Sequence, residues 1–374
     1  MALVLNEEQG MLRDSVNAFL TERAPVKRLR ELRDSRDAVG FDRRLWQQFA
    51  EQGYSAILVP EACGGLGLGA VEAGIIGEAL GRTLAPSPFL STAVLAARAL
   101  ARSGPQAEQT DLLRKVAAAE VVIALAVDEA SKHKPAAIDT RAERDGSGFR
   151  LNGAKTFVLD GHVADQLIVA ARTSEHGLTL LLVDPRAAGV QIERTLMVDA
   201  HNAARVRFDS VQVEAGKVLG SVDGAGPVLD EVLDLGRVVV AAQLLGAANE
   251  VFDRTLAYLK ERKQFDRYIG EFQALQHRAA ELYIDIELTR AIVLGAQQAM
   301  DQDPATAGLM VAQAKAHACT TANRAVQEGV QMHGGMGMTD EFDIGLFMKR
   351  VRTLQELLGD AGFHADRVAT MNGY

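Results

Sequence analysis

The hydrophobic pattern of this chain changes twice, and those changes limit its fold more than any single motif. Residues 1–119 repeat apolar side chains with a helical period, residues 120–222 alternate as strands do, and residues 223–374 return to the helical period. A helical region, a strand region and a second helical region favour a multidomain α+β protein. We therefore predict an N-terminal helical domain, a middle antiparallel β-domain of sheet or barrel form and a C-terminal four-helix bundle.

The first region carries helix-start signals and one glycine-rich segment. Asn6 followed by Gln9 is typical of a capping box. Further helices are predicted at about Phe41–Gln52, Ala70–Gly81, Leu90–Arg102 and Glu108–Ala119. The glycines between Gly64 and Gly69 would suit a dinucleotide-binding loop, but that loop follows a strand, and here helices flank it. We predict a tight turn instead.

The second and third regions divide by period. Strands are predicted at Ala126–Asp128, Phe149–Leu151, Gln166–Ala171, Leu178–Val183, Val190–Ile192 and Arg205–Phe208. Since no long helix separates them, antiparallel pairing is favoured. Helices are predicted at about Val228–Leu259, Glu271–Asp301, Pro304–Gly334 and Glu341–Thr370, and the first is apolar all round at Val238–Leu245, as a buried helix is.

Composition excludes several function classes. A net charge of -9 and a pI near 5.5 leave no basic surface for nucleic acid. No signal peptide and no apolar run of membrane-spanning length is present, so we expect a cytoplasmic protein with no membrane partner. Cys63 and Cys319 are far apart and belong to no ligand cluster, which predicts packing roles and no metal site.

Three motifs carry chemistry. The stretch Glu261–His277 places Arg, Gln and aromatic side chains between two helices, where guanidinium and amide donors suit a phosphate-bearing ligand; the alternative is a solvated turn. Together with Gln331–Gly337 and the turn Val59–Gly67, this stretch resembles the acyl-CoA dehydrogenase family, in the family's order along the chain.

The resemblance implies FAD as cofactor and an acyl-CoA thioester as substrate, with α,β-dehydrogenation as the reaction. It assigns cofactor contacts, in part to the FAD of a neighbouring subunit, to Arg262, Gln264, Phe265, Phe272, Gln273, Gln331, Gly334 and Gly335. It also assigns Arg237 to the acyl end of the substrate site. For the two glycines, helix-end capping is an equal alternative. His277 and His333 are interpreted as packing or hydrogen-bonding residues. An oligomer is implied, either a homo-oligomer (dimer or tetramer) or a hetero-oligomer with a paralogous subunit.

The catalytic carboxylate of the family is missing at both of its known positions. Leu358 stands at one position, and Gly236, directly before Arg237, stands at the other. Asp234, Glu356 and Asp360 are nearby, but each is interpreted as a surface or helix-end charge, so no catalytic residue is assigned.

Two flavin-contacting segments of the family also differ here. The flavin-wrapping segment corresponds to residues 127–134, which lack the family's threonine and glycine, and residues 157–160 keep an aromatic but lose a hydroxyl.

We therefore expect an FAD-dependent acyl-CoA dehydrogenase of lipid, sterol or aromatic side-chain catabolism. One alternative is a non-catalytic subunit that completes the FAD site of an active paralogue. The other is a binding module for acyl-CoA or flavin without turnover.

Overall fold

A computed structural model describes residues 3–104 and 106–374. The chain divides into two compact units, which are described separately. One unit comprises the chain up to Glu31, Ala70–Ala85 and Arg237–Tyr374, and the other comprises Leu32–Gly69 and Pro86–Gly236. The three-domain boundaries at 119/120 and 222/223 stay a prediction.

The N-terminal third is helical, as predicted. Asn6 caps the first helix and forms the expected capping box with Gln9. A π-helix at Phe89–Ala96 leads directly into the fifth helix. The α-helices are α1 (Glu7–Arg23), α2 (Val26–Ser35), α3 (Arg43–Glu51), α4 (Ala70–Thr83), α5 (Ala97–Arg102) and α6 (Ala107–Ala117).

The glycine-rich segment is a tight turn, as predicted. A short 3₁₀ helix at Glu61–Cys63 ends at Gly64, whose φ is +80°. The N–H of Gly67 then donates to the carbonyl of Val59 at 2.8 Å and closes the turn.

The middle of the chain forms one sheet in the order β6-β7-β3-β2-β4-β5-β8, with β1 beside β4. Its strands are β1 (Ile123–Ala126), β2 (Arg141–Asp145), β3 (Gly148–Leu159), β4 (Gln166–Arg172), β5 (Leu178–Val183), β6 (Val190–Leu196), β7 (Asn202–Val213) and β8 (Val218–Leu219). Most pairings are antiparallel, as predicted. The parallel pairings of β1 and β2 with β4 were not predicted, nor were the strands β2 and β8. The strand predicted at Ala126–Asp128 lies earlier, at Ile123–Ala126.

The sheet is held by one apolar core. Phe149 and Leu151 of β3 lie with Val169 of β4, Leu181 of β5 and Val206 of β7, all at most 1% exposed. Residues of β7 alternate between buried and exposed from Ala204 to Phe208, as in a strand with one covered face, whereas the residues inside β4 and β5 are buried on both faces.

The C-terminal region is a helical bundle, with one correction to its last helix. Val238–Leu245 is buried on every side, as predicted. The continuous helix predicted at Glu341–Thr370 is wrong, because Leu358 has a φ of +58° and Asp360 caps a new helix there. The helices are α7 (Gly226–Glu261), α8 (Gln273–Gln302), α9 (Gly308–His333), α10 (Ile344–Glu356) and α11 (Ala361–Met371).

Two negative findings apply to the described residues. None of the helices within 3–104 and 106–374 combines the length and the apolar character needed to cross a membrane. Across the same residues, no group of three or more His, Cys, Asp or Glu side chains could hold a metal ion.

Candidate cofactor and substrate sites

A two-stranded hairpin joins α7 to α8 and carries several of the predicted cofactor residues. Strand β9 (Lys263–Gln264) pairs with β10 (Arg267–Tyr268), so that Gln264 lies opposite Arg267. The two turn residues, Phe265 and Asp266, both have positive φ, as the type I′ turn of a short hairpin requires. Phe265 at the tip is 85% exposed.

The base of the hairpin is fixed to the bundle. Ile269 donates from its N–H to the carbonyl of Arg262 at 2.9 Å, which closes the hairpin onto the end of α7. Ile269 also packs with Leu259 of α7 and Met332 of α9 in a small apolar cluster. The orientation of the hairpin is therefore set by the bundle.

A cleft of about 480 Å³ lies beside the end of α7. Its aromatic side is formed by Tyr258 and His333, whose rings stack at 4.4 Å between centroids, and by Phe342, edge-on to both. Burial lowers the pKa of His333, and its Nδ1 lies 2.7 Å from the Gly329 carbonyl. His333 is thus a neutral packing residue, in agreement with the sequence interpretation.

Two arginines line this cleft and differ in their partners. Arg254 is engaged, since it pairs with Glu250 at 2.9 Å and with Asp343 at 2.8 Å. The exposed guanidinium of Arg262 makes no ion pair or hydrogen bond with any side chain that the structure describes. Arg262 is therefore available to an anionic ligand.

Gly334 and Gly335 follow His333 at the end of α9. Gly334 has a φ of +61°, a conformation that favours glycine. A Cβ built on either glycine would have no neighbour within 4 Å, so open space lies over this backbone. Their residue type thus allows close approach of a ligand, and at Gly334 it also serves the helix end. The helix-end interpretation of Gly334 is confirmed, and its contact with a cofactor stays a prediction.

The remaining predicted cofactor residues lie along the hairpin and at the ends of the flanking helices. Phe272 precedes α8, meets Phe265 edge-on at 6.3 Å and lies under the Arg267 guanidinium at 5.0 Å. Gln264, Gln273 and Gln331 are exposed. Of the eight predicted cofactor residues, Arg262 alone is among the residues that line the cleft. The other seven do not line it: Gln264, Phe265, Phe272, Gln273, Gln331, Gly334 and Gly335.

Sequence reasoning missed the aromatic side of the cleft. Arg254, Tyr258 and Arg262 are spaced four residues apart and so share one face of α7. That spacing was a usable signal. The positions of His333 and Phe342 depend on the packing of α9 and could not be read locally.

The loop between α10 and α11, residues 357–360, contains the position at which the family places its base. Leu358 is 6% exposed, and its carbonyl accepts from Arg237 Nε at 3.2 Å and from His364 Nε2 at 3.1 Å. Its N–H makes no hydrogen bond to any residue within the described ranges. Leu358 is a buried residue, and an acceptor from outside the chain would satisfy this N–H.

A buried lysine supports the same loop. Lys315 of α9 is fully buried, and burial lowers its pKa. Its Nζ donates to the carbonyls of Leu354 at 3.1 Å, Gln355 at 3.2 Å and Gly359 at 2.9 Å, and to Sγ of Cys319 at 3.3 Å. Burial, together with the charges of Lys315 and Arg237, lowers the pKa of His364 to about 2, so this imidazole stays neutral.

Two of the carboxylates near Leu358 have structural partners. Asp360 accepts from the N–H of Phe363 at 2.8 Å and so caps α11. Glu356 pairs with Arg352 at 2.8 Å. These contacts fit the interpretation of both as helix-end charges. Asp234 is 5% exposed and lies inside α7, so its interpretation as a surface or helix-end charge is wrong.

In the β-containing unit, residues 127–134 are held by one hydrogen-bonded pair and one ion pair. Asp128 lies 2.9 Å from His133 Nδ1, and Glu129 lies 2.6 Å from Lys155 Nζ. Glu129 also accepts from the N–H groups of Asp139 and Thr140. Burial lowers the pKa of Lys155 to about 8, against the opposing effect of Glu129.

The comparisons with known proteins cover the whole chain. Residues 6–120 match the N-terminal domain model of acyl-CoA dehydrogenase, residues 124–211 the middle domain and residues 224–371 the C-terminal domain. The chain belongs to the acyl-CoA dehydrogenase family. This confirms, at the level of the family, the predicted fold and the prediction of an FAD-dependent oxidoreductase acting on an acyl-CoA.

Three similar proteins illustrate this acyl-CoA dehydrogenase assignment. Acyl-CoA dehydrogenase IpdE2 of Mycolicibacterium smegmatis is 31% identical over 356 residues, which cover 95% of this chain and 96% of the relative. The ChsE4-ChsE5 complex of Mycobacterium tuberculosis contains a chain with 28% identity and a TM-score of 0.91, with full coverage of both chains. A variant of the Tcur3481-Tcur3483 steroid ACAD has 32% identity, a TM-score of 0.88 and 98% coverage of both chains.

Proposed function

We propose that this chain takes part in α,β-dehydrogenation of an acyl-CoA thioester and that its Arg262 contacts the FAD of a neighbouring subunit. The observation that carries this proposal is the exposed guanidinium of Arg262, without a protein partner among the described residues, at the edge of a cleft. A guanidinium fork of this kind fits phosphate and carboxylate oxygens, and the diphosphate of FAD supplies such oxygens.

The residues around Arg262 suit the rest of a dinucleotide. The open backbone at Gly334 and Gly335 admits a ribose or phosphate closely. Gln264, Phe265, Phe272, Gln273 and Gln331 present amide donors and aromatic faces along the hairpin and at the neighbouring helix ends. FAD, when bound, accepts the hydride that leaves the β carbon of the substrate.

On the substrate side, we assign the Leu358 N–H to the thioester oxygen. This N–H belongs to a buried residue and has no described partner, while the carbonyl of the same residue is held by Arg237 and His364. A fixed donor aimed at the thioester oxygen stabilises the negative charge that develops there as the α proton leaves. Arg237 lies at the acyl end of this site.

The substrate class follows from the relatives by analogy. The Tcur3481-Tcur3483 protein is named a steroid ACAD, and this chain matches it over nearly its whole length. We therefore propose an acyl-CoA from steroid or other lipid breakdown, processed in the cytoplasm.

A second candidate is a non-catalytic subunit that completes the FAD site of an active paralogue. The observation that favours it is Leu358, an apolar side chain at the family's base position, flanked by Glu356 and Asp360 that are engaged elsewhere. A similar solved structure is a complex of two differently named chains, ChsE4 and ChsE5.

One experiment separates the two candidates. The chain is purified alone, its visible spectrum is recorded, and an acyl-CoA is added without oxygen. A flavin spectrum that bleaches within seconds supports an active dehydrogenase. Flavin that is present but does not bleach, or that is retained only after co-purification with a paralogue, supports the non-catalytic subunit. Absence of flavin under both conditions would contradict the proposal.

A further inference from the structure

The end of α10 is capped by a buried charge. The last carbonyls of a helix have no partner within it and carry partial negative charge. Here the carbonyls of Leu354 and Gln355 accept from the ammonium of Lys315, which reaches them from α9. Lys315 therefore closes the C-terminal end of a neighbouring helix.

The same ammonium also reaches past the helix end. Its hydrogen bond to the Gly359 carbonyl, at 2.9 Å, fixes the peptide group between Gly359 and Asp360. The peptide group between Leu358 and Gly359 is fixed as well, since its carbonyl accepts from Arg237 and His364 and its N–H donates to the Glu356 carbonyl. Two consecutive peptide groups are thus held by side chains of α7, α9 and α11.

This fixation maintains an unfavourable backbone conformation. Leu358 has a φ of +58°, in the left-handed region that a non-glycine residue seldom adopts. Such a conformation persists only where neighbouring groups hold the backbone in place. Here the side chains of Arg237, Lys315 and His364 do so by donating hydrogen bonds to the loop. In this conformation, the Leu358 N–H has no protein acceptor among the described residues.

We propose that Lys315 is a positioning residue of the acyl-thioester site: its ammonium holds residues 357–360 so that the Leu358 N–H is kept free for the thioester oxygen. The proposal rests on the assignment of that N–H under the proposed function. Lys315 itself touches no substrate, because its side chain is fully buried among carbonyls and Cys319.

The test compares two ligands that differ in the thioester oxygen. Hexanoyl-CoA has it, and S-hexyl-CoA, a thioether, lacks it. Dissociation constants of both are measured by calorimetry on the FAD-loaded protein, together with its paralogous subunit if FAD loading requires one. A neutral hydrogen bond contributes about 0.5–1.5 kcal/mol, so the unmodified protein is expected to prefer hexanoyl-CoA about 2- to 10-fold.

Three variants locate the effect. In Lys315→Met the preference for hexanoyl-CoA falls to about 1, while the affinity for S-hexyl-CoA stays the same. His364→Leu removes a donor to the Leu358 carbonyl and is expected to lower the preference in the same way, which provides a second route if Lys315→Met does not fold. Lys349→Met, on α10 but outside the Lys315 contacts, is expected to keep the full preference.

Other outcomes would contradict either the assignment of the Leu358 N–H or the role of Lys315. If the unmodified protein binds the two ligands equally, the assignment of the Leu358 N–H is wrong, and the role of Lys315 is wrong with it. If the unmodified protein shows the preference and folded Lys315→Met keeps it, Lys315 does not position this N–H, and the proposed function stands. If Lys315→Met does not fold and folded His364→Leu keeps the preference, the fixation of residues 357–360 does not orient this N–H, which overturns the positioning role and leaves the proposed function standing. Equal loss of both affinities in Lys315→Met would show a general structural role instead.

Discussion

The guanidinium of Arg237 lies against the residue at the family's base position: its Nε donates to the carbonyl of Leu358 at 3.2 Å. A positive charge and an apolar side chain therefore occupy the place where a carboxylate is expected. Neither the Leu358 side chain nor the Arg237 guanidinium can accept the α proton of a thioester.

Restoring the carboxylate should restore proton removal. A positioned general base contributes about 10²–10⁴-fold, so we expect Leu358→Glu to raise the rate of flavin reduction by a saturated acyl-CoA by up to that factor. Leu358→Gln, of the same shape without the charge, is the matched control. Stopped-flow absorbance without oxygen measures the rate. Rapid reduction by the unmodified chain that is lost in Asp234→Asn would show instead that the base has moved to Asp234.

Removing the free guanidinium should weaken flavin binding. A hydrogen bond to a charged group contributes about 1.5–3 kcal/mol, so we expect Arg262→Ala to lower FAD affinity about tenfold or more. Lys260→Ala, an exposed cation in the last turn of α7, controls for general charge. Flavin fluorescence on dilution measures release. Equal retention in Arg262→Ala and the parent would contradict the assignment.

Because of the Lys155–Glu129 pair, the free energy of unfolding of the β-containing unit should depend on pH in the alkaline range. The pKa of Lys155 is about 8 in the folded chain and 10.5 without burial, so between these values the unfolded chain binds more protons. The contribution of Lys155 to the free energy of unfolding therefore rises with pH in this window, by up to about 1.4 kcal/mol per unit.

Urea unfolding between about pH 8 and 10 checks this sign. The stability of the parent relative to Lys155→Met should increase with pH, whereas its stability relative to Lys115→Met, which changes an exposed lysine, should not increase. Parallel pH profiles of the parent and Lys155→Met would show that Lys155 titrates normally. At acid pH, the pKa of Glu129 is lowered in the folded chain, so stability should be lost as the pH falls and this carboxylate is protonated.

The chain should be at least a dimer. Tyr283, Ile284 and Leu288 form an apolar face on α8 and are each more than half exposed. Such a face favours a protein contact, so Ile284→Arg should shift the assembly toward monomers. Sedimentation at micromolar concentration measures this, with Glu8→Arg on α1 as the control. A stable monomer of the unmodified chain would contradict the prediction.

Local signals were sufficient for some elements of the fold. The Asn6–Gln9 capping box depends on four consecutive residues, and the structure has it as predicted. The break in the last predicted helix was also encoded locally, because Gly359 and Asp360 are a stop and a cap in sequence. The apolar residues that continue the helical period on both sides of Gly359 concealed that break.

Other features depend on residues far apart in the chain. The donors to the Leu358 carbonyl come from Arg237 and His364, which are 121 and 6 residues away. The parallel pairing of β1 with β4 joins strands separated by two others. Hairpin β9–β10 left no signal either, because its strands have two residues each and its turn lacks glycine.

That hairpin has a kinetic consequence. A positive φ at Phe265 and at Asp266 destabilises the folded chain by about 1–2 kcal/mol each. The packing of Ile269 against Leu259 and Met332 offsets this during folding, before any subunit binds. A neighbouring chain then meets a tip that is already ordered. Two subunits should therefore associate as rigid bodies. Their association rate should be limited by diffusion and orientation, and not by a slow rearrangement of the hairpin.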